Sequence, residues 1–325
     1  MQRPQMAVIL LCVVTASLPA DAEDNLPIRF AWFVDFSPDG KSLVVPYGGW
    51  LSNEGGEVRV WDVETGKAKL VIPSRRGVRG AAWSPQGTFF ASGNYGGYVV
   101  LYDSKTGAKK LELSTGGDNA ELVQITPDGR QVIAATGTGM VWTWETATGK
   151  VTGPMPVHSD SIWGIRLAPD GKTLATAGKD TTVCVTNIES GKQLFKLKHP
   201  SITNGVAFTA DVRQVVTGCW DRQIRVWDLE TGKLTRMLSG HFGSVNDFDF
   251  SPNDKLLASS GSDHTVRLWD FETGKLLATL EGHEQAVYGV RFSPDGKLLA
   301  SGSWDATVKL WDVERKMELK TLARE

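Results

Sequence analysis

A short motif recurs along this chain every 41 or 42 residues, and no other feature constrains the fold as strongly. Segments related to "WDVETGK" start at seven positions: Trp61, Tyr102, Trp144, Thr186, Trp227, Trp269 and Trp311. A second series related to "SPDG" has the same spacing after its first interval: Ser37, Ser84, Thr126, Ala168, Thr209, Ser251 and Ser293. A constant period over seven units predicts a repeat architecture in which each unit packs on its neighbours.

Each unit alternates short β-rich segments with turn residues. The last unit reads "AVYGVRFS", "KLLASGS", "TVKLWDV" and "MELKTL", with Pro, Asp and Gly at the turns. These four segments have the length of strands, and we call them strands a to d. A single four-stranded sheet cannot bury both of its faces alone, and closing the row into a ring removes its unpacked ends. The sequence therefore predicts an all-β fold, a seven-bladed β-propeller of four-stranded antiparallel blades.

The period and the repeated Trp-Asp pair resemble the WD-repeat (WD40) β-propeller family, and the resemblance covers roughly residues 28 to 325. In that family a structural tetrad of His, Ser or Thr, Asp and Trp ties the strands of a blade together. The resemblance implies complete tetrads in units five, six and seven: His199, Thr217, Asp221 and Trp227; His241, Ser259, Asp263 and Trp269; His283, Ser301, Asp305 and Trp311.

The other units depart from the tetrad pattern. Unit four has His158, Thr176 and Asp180, but Thr186 replaces its Trp. Unit two keeps Ser92, but Gly96 replaces its Asp and Tyr102 replaces its Trp. Unit three keeps only Trp144, and unit one keeps only Trp61. Because tetrad bonds satisfy buried polar groups, we expect blades five to seven to form the stiffer half of the ring.

The two ends of the repeat region decide how the ring closes. Strand a of the first unit begins near Arg29, and "MELKTL" can supply strand d of the last unit. We therefore expect every blade to be built from consecutive strands, and the ring to close by packing. Residues 23–28 are not expected to pair with blade seven.

The N-terminus has the pattern of a secretory signal peptide over residues 1–22. Arg3 precedes a 12-residue apolar run, and Ala20 and Ala22 form an A-x-A site,. The run is too short to span a bilayer. We expect cleavage after Ala22, a propeller over residues 23–325, a secreted or periplasmic location and no membrane insertion. Cys184 and Cys219 then remain, and two cysteines in different repeats do not make a disulfide framework.

The chemistry of an enzyme is missing from the sequence. The net charge is −2, and no basic stripe suits a nucleic acid,. Four of the five histidines fall at the tetrad position, no Cys/His cluster has zinc spacing, and no phosphate-binding glycine motif is present,. The sequence predicts a protein that is not an enzyme and has no metal or other cofactor.

The resemblance implies that the d–a and b–c connections share one face, here called the top face, where partners commonly dock. Nine residues are expected to bind a partner there: Trp32, Trp50, Arg79, Tyr95, Trp163, Lys179, Trp220, Tyr288 and Trp304. Trp50 lies with Tyr47 in a longer b–c connection of unit one, residues 46–57, which is either a lid or a tolerated insertion. Arg75 and Arg76 lie nearby, either solvated or paired with an acidic partner.

Aromatic residues and Arg are the usual anchors of binding hot spots. The sequence therefore predicts an exported, non-enzymatic scaffold that binds a protein or peptide on the top face. It is expected to be a monomeric propeller within a larger complex. The alternative is a carbohydrate-binding module, because Trp and Tyr rings also stack on sugars. Trp220 and Trp304 are the residues on which either function depends.

Overall fold

The computed structural model describes residues 30–49 and 55–324, and the regular secondary structure in these residues is entirely β-strand. The predicted signal peptide, its cleavage site and Trp50 lie outside the described residues.

The strands of the first three blades follow one another in chain order. Blade one contains β1 Phe30–Ala31, β2 Asp35–Phe36, β3 Ser42–Gly48, β4 Gly56–Asp62 and β5 Ala68–Ser74. Blade two contains β6 Val78–Trp83, β7 Phe89–Asn94, β8 Tyr98–Asp103 and β9 Lys109–Ser114. Blade three contains β10 Ala120–Ile125, β11 Gln131–Thr136, β12 Met140–Glu145 and β13 Met155–Pro156.

The remaining four blades have four strands each. Blade four contains β14 Ile162–Leu167, β15 Thr173–Gly178, β16 Thr182–Asn187 and β17 Gln193–Lys198. Blade five contains β18 Thr203–Phe208, β19 Gln214–Cys219, β20 Gln223–Asp228 and β21 Leu234–Ser239. Blade six contains β22 Val245–Phe250, β23 Leu256–Gly261, β24 Val266–Asp270 and β25 Leu276–Leu280. Blade seven contains β26 Val287–Phe292, β27 Leu298–Ser303, β28 Val308–Asp312 and β29 Met317–Leu322.

Each of these sheets is an antiparallel meander, and the seven sheets pack side by side around a ring. The a strands of neighbouring blades contact one another, which places them innermost, whereas the d strands expose most of their residues. The hydrophobic core lies between blades: one cluster joins Val226 of blade five to Phe248 and Trp269 of blade six. The predicted seven-bladed propeller is therefore confirmed.

The ring closes where blade one meets blade seven. Blade seven takes all four of its strands from Val287–Leu322, and β1 and β2 contact β27 and β26. The contact is tight, since a Cβ on Gly289 would stand 2.6 Å from the Cα of Phe33. Closure among the described residues is thus by packing, and the prediction about residues 23–28 lies outside them.

Two blades are less regular than the sequence predicts. Strand a of blade one is broken into β1 and β2, opposite Pro46 of β3, which has no N–H for the ladder,. Strand d of blade three is reduced to the two residues of β13 because its segment contains Pro154 and Pro156. Both irregularities fall in the half of the ring that lacks complete tetrads.

Candidate functional site

Buried hydrogen bonds anchor the top face to the blades beneath it. In blade seven the Ser301 hydroxyl lies 2.8 Å from His283 Nε2 and accepts a hydrogen bond from Trp311 Nε1 at 2.8 Å. His283 Nδ1 lies 2.8 Å from Asp305 Oδ2, and Asp305 in turn accepts from the backbone N–H of Glu284. One chain of contacts therefore joins the b and c strands to the d–a loop and the b–c turn.

Blade six has the same arrangement. His241 Nε2 lies 2.8 Å from Ser259 Oγ, which accepts from Trp269 Nε1 at 2.8 Å, and His241 Nδ1 lies 3.0 Å from Asp263. Burial opposes ionisation of Asp263, but the hydrogen bond from His241 and the charge interaction hold its pKa well below the ordinary value. The buried carboxylate is therefore kept ionised by its histidine partner.

Blade four keeps the histidine link without the indole. His158 bridges Asp180 at 2.9 Å and Thr176 Oγ1 at 2.8 Å. Burial opposes ionisation of Asp180, yet hydrogen bonds from Thr182 and His158 lower its pKa to about 2. Thr186, which replaces Trp, is buried with no hydrogen-bond partner for its hydroxyl in the described part of the chain.

Blade five departs from the expected tetrad at Asp221. His199 Nε2 lies 2.8 Å from Thr217 Oγ1, and Trp227 Nε1 donates to the same oxygen, but His199 Nδ1 faces the Leu197 carbonyl at 3.1 Å. Asp221 instead forms an ion pair with Arg225 at 2.5 Å. The expected His199–Asp221 link is wrong because Arg225 competes for the carboxylate. Without that link, burial lowers the pKa of His199 to about 4.

Arg79 lies at the centre of the top face, beneath the surface. Its side chain forms an ion pair with Glu121, and its guanidinium carbon lies 5.1 Å from the Trp32 ring centroid and 5.9 Å from that of Trp163. These residues belong to the innermost segments of blades one to four, so their contacts join four blades. Cation–π contacts of a desolvated guanidinium are favourable. Arg79 is 2% exposed, and its charge is already satisfied within the protein.

Several predicted partner-binding aromatics are also buried. Trp32 is fully buried, and its Nε1 donates to the Gly48 carbonyl at 3.0 Å. Tyr288 stacks on Trp304 with ring centroids 4.7 Å apart. Burial raises the pKa of Tyr95 and of Tyr288 to about 12. The expectation that Trp32, Arg79, Tyr95 and Tyr288 are accessible anchors is therefore wrong, because residues from neighbouring blades cover them; they form a packed floor.

Four predicted residues do reach the surface. Trp220 is 44% exposed and its ring centroid lies 5.7 Å from that of Trp163, which is half-buried. Lys179 is exposed and Trp304 is half-buried on top of Tyr288. Trp220 projects from a b–c turn. The backbone N–H of Trp220 donates to the Ile202 carbonyl at 2.9 Å and holds this turn in place. Its exposed ring is thus mounted on a fixed turn.

Sequence reasoning missed Phe242, whose side chain is 81% exposed. It follows His241 in the d–a loop, and its backbone N–H donates to Asp263 Oδ2 at 2.9 Å, so it stands on the top face. The Arg267 guanidinium lies 5.5 Å from its ring centroid. The sequence did contain a signal for this residue. At the repeat position after the tetrad histidine the other blades have Ser159, Pro200 and Glu284, so Phe242 is the one large apolar side chain among the four.

The described residues offer little for cofactor chemistry. They contain no group of three or more His, Cys, Asp or Glu side chains arranged to hold a metal ion. Cys184 and Cys219 are buried free thiols whose sulfurs face the carbonyls of Val157 and Ser201. Within the same residues no helix has the length and apolar character needed to cross a membrane.

Tetrads of this kind in a seven-bladed propeller are the features that characterise one class of repeat protein. Comparison with known proteins places the chain in that class. The family description "WD domain, G-beta repeat" matches residues 68–103, 149–187, 191–228, 232–270 and 274–312. These segments make up more than half of the chain, and the protein belongs to the WD-repeat family.

Relatives among characterised proteins share parts of the chain. Autophagy-related protein 16 of Arabidopsis thaliana is 26% identical over 54% of this chain and 34% of its own length. Serine-threonine kinase receptor-associated protein of Gallus gallus is 31% identical over 42% of this chain and 39% of its own length. Telomerase protein component 1 of Rattus norvegicus is 27% identical over 59% of this chain and 7% of its own length. The matched region thus spans two fifths or less of each relative.

Proposed function

We propose that this protein is a non-enzymatic scaffold that binds a protein or peptide on its top face. The observation that carries the proposal is the exposure of Trp220 and Phe242, 44% and 81%, on the top-face loops of neighbouring blades. Large apolar side chains held out to solvent by fixed turns are typical of interaction surfaces. Trp163 and Lys179 extend the same surface on blade four.

The floor beneath this surface supports binding at low conformational cost. The buried Arg79 guanidinium carbon lies 5.9 Å from the Trp163 ring centroid, which in turn lies 5.7 Å from that of Trp220, so the packed floor supports the exposed ring through Trp163. A preorganised surface loses less entropy when it binds. The name of the Gallus gallus relative describes association with a receptor, and this supports a protein as the partner.

The test is partner capture with matched variants. The double variant Trp220→Ala/Phe242→Ala removes both exposed rings, and Met317→Ala removes a side chain of similar exposure (52%) from the outer strand of blade seven. We expect proteins cross-linked to the wild type and to Met317→Ala to be lost with the double variant, at unchanged circular dichroism. Retention of every partner by the folded double variant would refute the top face as the binding surface.

The carbohydrate-binding alternative is separated by a different measurement. Oligosaccharides titrated against the wild type would quench Trp fluorescence if sugar rings stacked on Trp220 or Trp163. Saturable quenching that Trp220→Ala abolishes would favour the carbohydrate-binding module over the protein scaffold. The proposal of a protein partner predicts no such quenching.

A further inference from the structure

A groove of about 1060 Å³ runs along the joint between blades one and two. Its walls are β5 of blade one, with Ile72 and Pro73, and the face of β8 and β9 of blade two that carries Tyr98 and Tyr102. It extends from the d–a loop at Ser74–Arg76 and the b–c turn at Gly96 to Gly107 at the other end of the blade. The groove therefore starts at the rim of the top face and continues down the side of the ring.

The groove lies where the tetrad of blade two is missing. In blade seven, His283 and Asp305 fill the corresponding joint, and both side chains are nearly buried. The same repeat positions in blade two are Ser74 and Gly96, which have little or no side chain to fill the space. A smaller groove of about 330 Å³ lies between blades two and three, but Trp142, Trp144 and Val151 line it, next to the shortened strand β13 and away from the positions of the His–Asp pair in blade three. Small residues at the two tetrad positions thus leave the top-face end of the groove between blades one and two open.

Blade two closes its b–c turn without filling the joint. The Asn94 side chain accepts hydrogen bonds from the backbone N–H groups of Gly96 at 2.9 Å and Tyr98 at 3.3 Å. In blade seven Asp305 makes the analogous bond to the N–H of Thr307 at 2.9 Å while also contacting His283. Asn94, the last residue of strand b, stabilises the b–c turn of blade two without filling the groove. The groove can therefore be open while the turn remains stable.

The shape and charge of the groove favour an acidic peptide. Among the described residues that line it, Lys109 and Glu112 pair with each other at 3.0 Å, and the remaining charged side chains, Arg75 and Arg76, are both positive. The path from Tyr98 to Tyr102 along β8 is roughly 13 Å, enough for about four extended residues. Tyr98 is 41% exposed and offers an aromatic surface within the groove. A peptide with carboxylates would pair with the exposed Arg75 guanidinium and lie along the strands,.

We propose that the joint between blades one and two is a second binding site, for an extended acidic peptide segment of a partner protein. The site is separate from the rings of Trp220 and Phe242. It adds a partner class to the proposed scaffold function, and each site can be tested without disturbing the other.

The test uses a fluorescein-labelled octaglutamate peptide, an octaglutamine peptide and an eight-nucleotide thymidine strand, followed by fluorescence anisotropy. Arg75→Glu reverses an exposed charge at the groove. Arg130→Glu is its matched control, since Arg130 is 85% exposed at an a–b turn and has only a 3.9 Å contact with Asp128. Ser74→His/Gly96→Asp puts the missing pair back and narrows the top-face end of the groove, next to Arg75.

We expect octaglutamate to bind the wild type at least tenfold more tightly than octaglutamine. Arg75→Glu should weaken binding by about tenfold, Ser74→His/Gly96→Asp should weaken it at least as much, and Arg130→Glu and Trp220→Ala/Phe242→Ala should leave it unchanged. Equal binding of the two peptides, equal losses for Arg75→Glu and Arg130→Glu, or tighter binding of the thymidine strand would overturn the proposal. If the tetrad-restoring variant does not fold, the paired arginine variants decide the outcome.

Discussion

At the scale of single residues, one hydroxyl in a complete tetrad serves several strands. Ser301 Oγ meets both His283 Nε2 and Trp311 Nε1 at 2.8 Å, and all three groups are buried. Removing this oxygen would leave a buried indole N–H without an acceptor. Such a loss costs more than the net value of one hydrogen bond, because the desolvation penalty remains.

Ser301→Ala is therefore expected to lower the free energy of unfolding by about 2 kcal/mol, measured by urea denaturation. Ser92→Ala in blade two is the comparison, since Ser92 has a Tyr102 hydroxyl as its partner where blade seven has an indole and an imidazole. We expect a smaller loss there, about 1 kcal/mol. Equal losses in the two blades would contradict a special role for the tetrad serine.

Asp35 makes stability depend on pH in an unusual direction. Its Oδ2 accepts a hydrogen bond from the Trp83 N–H at 2.8 Å, and burial raises its pKa to about 6 despite this bond and nearby Arg291 and Arg166. Nearby Asp249, which is partly buried, adds a repulsive charge. The folded protein then binds this proton more tightly than the unfolded chain, so the Asp35 contribution is lost as pH rises from about 4 to above 6.

Asp35→Asn keeps an acceptor for Trp83 but does not titrate. The free energy of unfolding of the variant minus that of the wild type should therefore be about 2 kcal/mol larger at pH 7.5 than at pH 4.5. Urea denaturation of both proteins at the two pH values measures this difference, and other titrating groups such as His199 cancel in the comparison. A difference that does not change with pH would show that Asp35 ionises normally.

At the scale of elements, the blades differ in how many buried bonds hold their strands together. Blades six and seven have the full chain from loop to strand c, blade four lacks the indole, and blade five lacks the His–Asp link. Blades two and three have grooves at their joints. These differences concentrate stabilising contacts in the second half of the ring.

Hydrogen exchange should reflect this distribution. We expect amides of strands b and c in blades five to seven to exchange more slowly than the equivalent amides in blades one to three, because local opening there breaks buried side-chain bonds as well as the ladder. Mass spectrometry of exchanged peptides compares the same strand positions from blade to blade. Equal or greater protection in blades one to three would refute a stiff half.

At the scale of the whole molecule, the ring presents two distinct surfaces. The top face has a packed floor with a few exposed rings, and the side of blades one and two has a polar groove. A scaffold with both could hold one partner by two contacts, which raises the effective affinity of each.

Export of this ring remains a proposal based on residues 1–22. If the signal peptide is cleaved as proposed, N-terminal sequencing of the protein recovered from outside the cytoplasm should begin at Glu23, after Ala22,. Recovery there with Met1 still present would contradict cleavage.

The sequence alone determined the number of blades, most of their strands and the repeat positions of the tetrads. These follow from the repeat period, the turn residues and local strand patterns, which act within about 42 residues. Asn94 and Phe242 were also readable as deviations at repeat positions, although only the structure made their consequences evident.

Only the tertiary structure decided which of the equivalent positions are accessible. Trp32 and Trp220 are both top-face aromatics in the sequence, yet contacts with Arg79, Tyr288 and Trp304 bury Trp32, while Trp220 is 44% exposed. In the same way, the competition between His199 and Arg225 for Asp221 depends on side-chain geometry that the repeat pattern does not encode. Burial and pairing are set by neighbours from other blades, and those neighbours meet only when the ring has closed.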